Sequence, residues 1–131
     1  MILRVCKVNN SFAMQQGRFA PKAENKLLGK GDTMRFLFIG NSHTYYNDMP
    51  QIFKEICEHN QVDAQVTMLA HGGKTLEFHM NEPEVRFNIL YGNYDVIILQ
   101  HRQKDFSAQE LLESGRGMDA IISQTNSQKV L

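Results

Sequence analysis

Three short apolar runs constrain this chain more than any other feature: "RFLFI" (35–39), "AQVTMLA" (64–70) and "DVIILQ" (95–100). Each has the length of a strand, and the first is apolar at nearly every position, as in strands buried on both faces. The segments between them have helical spacing. After the first run, Asn47 or Asp48 can cap a helix with Pro50 in its first turn, where a missing N–H is harmless. Ile52, Phe53, Ile56 and Cys57 then share one face, and Asn60 is a stop. After the second run, Pro83 opens a helix with Val85, Ile89 and Leu90 as its apolar stripe. After the third, Ser107 and Glu110 form an S-x-x-E capping box. That helix is expected to run to roughly Thr125 and to bury Leu111, Leu112, Met118, Ile121 and Ile122. The final "QKVL" reads as the beginning of a fourth strand. Strand and helix alternate, which is the pattern of an α/β protein with a parallel sheet between helical layers.

The 131 residues suffice for one domain with a real core. Residues 1–33 hold neither a 3.6-residue nor a two-residue period and end in the polar joint "GKGDT"; the patterned segment begins at Met34. The expected organisation is a poorly ordered basic arm over 1–33 and a domain over 34–131. The arm holds six basic residues against Glu24 and Asp32, a net charge of +4, and the remainder balances it at −4. The basic residues are scattered rather than clustered, so neither nucleic acid nor a membrane surface is an expected partner. Cys6 and Cys57 make neither a disulfide framework nor a metal signature, which fits a reduced, cytoplasmic setting. No run reaches the roughly 18 apolar residues of a membrane span. The amino terminus lacks the apolar core and cleavage site of a secretory signal.

In parallel α/β sheets, ligands bind beyond the carboxyl ends of the strands. Three loops leave those ends here: 40–48, 70–77 and 100–106. The first carries Gly40, Asn41 and Ser42. A serine there caps a helix or, beside a base, serves as a nucleophile. The second carries Gly72 and Gly73, which permit a tight turn or aim an N–H at a developing oxyanion. The third carries Gln100 and, close by, Gln103; an amide there donates to the same oxyanion or satisfies loop backbone groups. No G-x-G-x-x-G or P-loop lysine is present, and the histidines and carboxylates lack metal-ligand spacing, so no cofactor or metal is expected.

Taken together, these blocks resemble the SGNH (GDSL-type) serine hydrolases, in the branch whose first block reads Gly-Asn-Ser and then Thr-Tyr-Tyr-Asn-Asp-Met-Pro. Here that block is "FIGNSHTYYNDMP", with His43 where an aromatic residue is more usual. The second block is "GGKTLEFH" (72–79), and the third is "YDVIILQ" (94–100), where a glutamine replaces the Gly-x-Asn-Asp of the wider superfamily. The resemblance covers roughly residues 34 to 131. It implies a three-layer, flavodoxin-like SGNH topology, here reaching about three strands. It also implies an esterase acting through an acyl-enzyme on Ser42. By position, the oxyanion hole would combine the N–H of Ser42, the N–H of Gly73 and the side chain of Gln100. Gly40, Asn41, Gly72 and Gln103 would support these loops.

The substrate class so implied is a small ester, including acylated carbohydrate. The family's base is a histidine in a late Asp-x-x-His block, and none of His43, His59, His71, His79 and His101 has an aspartate three residues before it. The chain is accordingly expected to be the amino-terminal portion of a hydrolase, with the third strand exposed as an apolar edge open to association. The alternative is a non-catalytic binding module that keeps the α/β core.

Overall fold

Strand β1 (Met34–Gly40) sends its side chains alternately to two separate cores, and the rest of the chain is arranged around that alternation. A computed structural model describes residues 33–102 and 107–130. The amino-terminal arm and Gln103 therefore lie outside the described residues. β1 is flanked by β2 (Ala64–Ala70) and β3 (Val96–Leu99), and β4 (Gln128–Val130) lies outside β3. All three pairings are parallel, in the order β2-β1-β3-β4. The expected α/β fold with a parallel central sheet is thus observed.

Leu37 and Ile39 of β1 join Ile97 and Leu99 of β3 on one face. They pack against Leu76 from α3 (Leu76–Asn81), Val85 and Ile89 from α4 (Pro83–Tyr91), and Met118, Ile121 and Ile122 from α5 (Ala108–Ile122). On the opposite face, Phe36 and Phe38 meet Phe53 of α2 (Met49–His59) edge-on, with ring centroids 4.9 and 5.3 Å apart. Edge-to-face contacts of this kind add to simple area burial. Burial on both faces is the reason that β1 reads as a continuous apolar run.

Several local expectations need correction. β3 is not an open edge, because β4 pairs along it from Val96↔Gln128 to Ile98↔Val130. The fourth strand expected from "QKVL" is thus present as β4, at the edge of a four-stranded sheet. Helix α5 ends at Ile122, short of Thr125, because local hydroxyl bonds turn the chain toward β4: Thr125 Oγ1 bonds the Ile122 carbonyl and accepts from the Ser127 N–H. The capping box of α5 forms in full between Ser107 and Glu110. Leu112, expected inside, is 48% exposed, since the buried face of α5 runs instead through Ser114, Met118, Ile121 and Ile122. On α2 the inward line is Met49, Phe53 and Cys57, leaving Ile52 and Ile56 exposed. Asp48 stands at the cap position of α2 in left-handed backbone, but its side chain caps nothing. Burial raises the pKa of the Cys57 thiol, with Glu58 as a lesser cause, which keeps it protonated. No helix among the described residues is long and apolar enough to cross a membrane.

Truncating Leu37 to alanine should cost about 2–5 kcal/mol of stability, because a fully buried leucine leaves a cavity in a packed core. Leu112→Ala should stay within about 0.5 kcal/mol of wild type. Urea unfolding of the two variants separates these outcomes.

Candidate active site

The parallel register sets the three loops side by side. Gly40 is level with Ala70, and Ile39 is level with Leu99. Gln100 thus follows directly beyond β3, with its N–H donating to the Ile39 carbonyl at 2.8 Å. Neighbouring strands lie about 4.8 Å apart, so residues leaving level positions fall within side-chain reach of one another.

Asn41 ties the loops together. It is 1% exposed and caps α1 (Ser42–Tyr45), its Oδ1 accepting from the His43 N–H at 3.1 Å. Its Nδ2 donates to the Lys74 carbonyl at 3.0 Å, which fastens the first loop to the glycine turn. Its backbone N–H donates to Gln100 Oε1 at 2.9 Å, which fastens the first loop to the third. Thr44 Oγ1 donates to the same Gln100 oxygen at 3.0 Å. Ser42 is half-buried in the first turn of α1, and among the described residues its hydroxyl has no hydrogen-bond partner.

Gly40 is required by space. A Cβ there would lie 2.7 Å from Gln100 Oε1 and closer still to Thr44 Oγ1. Gly73 is required by backbone, with φ of +70°, and has open space around it. Gly72 is also exposed, and a Cβ on it would sit 3.1 Å from the Tyr45 hydroxyl. Gln100 uses its oxygen on Asn41 and Thr44, while one amide hydrogen goes to the carbonyl of His101. The structure thus bonds Asn41 and Thr44 to Gln100 beside Gly40, with Ser42 next to Asn41 in the chain, and joins the Gly72–Gly73 turn to Asn41 through Lys74.

The histidines divide by surroundings. His43 and His59 are exposed. His71 lies 3.5 Å from Glu84 Oε1 and against the rings of Phe78 and His79. His101 is half-buried, and burial holds its pKa below the ordinary value, opposed by Glu110 and aided by Arg102. His79 had no role assigned from sequence. It is fully buried on α3, an element that the sequence periodicity did not reveal, with Nε2 2.6 Å from the Gly40 carbonyl. Burial lowers its pKa; the Gly40 bond, Glu82 and Glu84 oppose this, and His71 reinforces it. The signal available in sequence was its place in "GGKTLEFH", next to apolar Leu76 and Phe78.

No protein-family profile and no curated protein matches the chain. Among solved structures it is similar to TesA, with a TM-score of 0.58 at 11% identity, over 73% of this chain and 58% of TesA. That likeness is one of fold, an α/β architecture with a parallel sheet. The chain spans 58% of TesA's length.

Gly40→Ala should destabilise by about 1–3 kcal/mol, since two bonded side chains must move aside. Gly73→Ala should cost about 1–2 kcal/mol through left-handed backbone alone, without loosening the Asn41 bonds; thermal melts and amide exchange of loop 40–44 tell the two apart. Burial holds the folded pKa of both His79 and His101 below the ordinary imidazole value of about 6.5. The folded state therefore resists protonation, so stability is full above pH 6.5 and is lost as pH falls from there through the lowered values. The slope is at most about 1.4 kcal/mol per pH unit for each proton, and His79→Phe should remove its share. Urea midpoints between pH 7.5 and 5 measure this.

Proposed function

We propose that this chain carries the nucleophile and oxyanion elements of an SGNH-type serine hydrolase that cleaves carboxylic esters through an acyl-enzyme on Ser42. The observation that carries the reading is Asn41: the residue before Ser42 is bonded at once to Lys74 beside the glycine turn and to Gln100 at the end of β3. A fold likeness to TesA, a hydrolase of SGNH type, supports the reaction class.

In this reading the Ser42 oxygen attacks the ester carbonyl, and its proton passes to a histidine base. The negative charge that develops on the carbonyl oxygen is met by N–H donors at Ser42 and Gly73 and by the remaining amide hydrogen of Gln100. Such donors act strongly because they are fixed before charge develops. As the tetrahedral intermediate collapses, the base returns that proton to the leaving oxygen, releasing the alcohol and leaving an acyl group on Ser42; water, deprotonated by the same base, then attacks the acyl group, releasing the acid and restoring the Ser42 hydroxyl. None of the histidines among the described residues bonds the Ser42 hydroxyl, and the family's base belongs to an Asp-x-x-His block. Small acyl esters, including acetylated carbohydrate, are the proposed substrates.

The Gln100 amide directed at the His101 carbonyl favours a second reading, a binding module that retains the α/β core. A fluorophosphonate probe with peptide mapping decides between them. The hydrolase reading expects label on Ser42 and none after Ser42→Ala. Label that is absent from wild type, or that persists in Ser42→Ala, sinks it.

A further inference from the structure

The carbonyl of Gly40 is the last that β1 presents before the Ser42 loop, and it accepts two hydrogen bonds. The His71 N–H donates at 3.0 Å and His79 Nε2 lies at 2.6 Å. The other end of the same peptide unit, the Asn41 N–H, donates to Gln100 Oε1 at 2.9 Å. One rigid plane is therefore gripped at both ends by groups from the second and third loops. If that plane rotates, Asn41 and Ser42 rotate with it.

His79 is an expensive choice for its position. A carbonyl only accepts, so Nε2 must carry the ring proton, leaving Nδ1 as a bare acceptor. Nδ1 is buried and, among the described residues, has no hydrogen-bond partner. A buried unpaired polar atom costs more than one neutral hydrogen bond returns, so an apolar ring of this size would stabilise the fold at least as well. The ring is enclosed by His71 and Phe78, both with centroids 5.4 Å away. Burial disfavours the imidazolium, with Glu82, Glu84 and His71 as the charged or titratable neighbours. Stability does not explain a histidine here, whereas the Gly40 carbonyl does.

We propose that His79 is the positioning residue of the Ser42 loop: as a neutral Nε2–H imidazole it locks the Gly40–Asn41 peptide and so sets where Ser42 stands. Its consequence for chemistry rests on the reading of Ser42 as a nucleophile, but the clamp itself does not.

The test uses wild type, His79→Phe and His79→Gln. Glutamine's amide nitrogen reaches about as far as Nε2 and can donate to Gly40, whereas phenylalanine fills the space without a donor. Long-range proton–nitrogen spectra of the wild type at pH 7 should show His79 neutral with the proton on Nε2. In His79→Phe, amide exchange at Asn41, His43 and Thr44 should rise about tenfold or more, while exchange at Leu37 and the urea midpoint change little. Fluorophosphonate labelling of Ser42 should slow by a similar factor. His79→Gln should restore exchange to within about threefold of wild type. A proton on Nδ1, an imidazolium, unchanged loop exchange in His79→Phe, or His79→Gln behaving like His79→Phe would each overturn the proposal. Wild type that takes no label defeats the serine reading alone, since tautomer and exchange still decide the clamp.

Discussion

The Gly40–Asn41 peptide is the interaction on which the site depends. Its carbonyl is held by His71 and His79, its N–H by Gln100, and the Asn41 side chain reaches Lys74 and His43. Each such bond contributes only about 0.5–1.5 kcal/mol net. Their effect is nevertheless collective, because they converge on one planar unit with little freedom of its own. The small volume of Gly40 makes that convergence possible. Thr44 and Gln100 occupy the space that a Cβ would take, so a larger residue would push apart the groups that fix the loop.

The sheet supplies the spacing for this arrangement. β1 is central and buried on both faces, with Phe36 and Phe38 on one side and Leu37 and Ile39 on the other. Its neighbours run parallel and in register with its last residues, so the loops emerge level. A one-residue slip would exchange the two faces and move Gln100 away from Asn41. Core packing and site geometry are therefore one constraint: the hydrophobic effect fixes the register, and the register fixes which polar groups can meet.

Much of this was legible from the chain alone. β1 was readable because burial on both faces leaves a run with hardly a polar interruption, and the α5 start because Ser107 and Glu110 cap it through local bonds. What failed was the breadth of the helical faces. Ile52, Ile56 and Leu112 fit an apolar period, yet the neighbouring elements cover only a narrower stripe. Helix α3 spans six residues, under two turns, too few to establish a period. The bond from Asn41 to Lys74 joins residues 33 apart, and that from Asn41 to Gln100 joins residues 59 apart; no local pattern announces either. Gln100 shows a subtler limit. An amide is both donor and acceptor, so sequence placed it at the site but could not say that its oxygen would serve the backbone.

His79 brings stability and positioning into direct conflict. Its buried Nδ1 breaks the rule that interior polar atoms find partners, and burial also makes the ring resist protonation. Violations of local consistency tend to gather where a structure must hold a particular geometry. Here the violation lies one bond from the peptide that precedes Ser42. Keeping the ring neutral spares the core a charge and a second buried donor on Nδ1 while Nε2 still holds the Gly40 carbonyl. The imidazole can therefore hold Gly40 without drawing a fixed positive charge into the core, which a lysine or arginine donor could not do. A donor that is short, planar and uncharged is what this position demands, and the buried imidazole meets that demand at the reach observed.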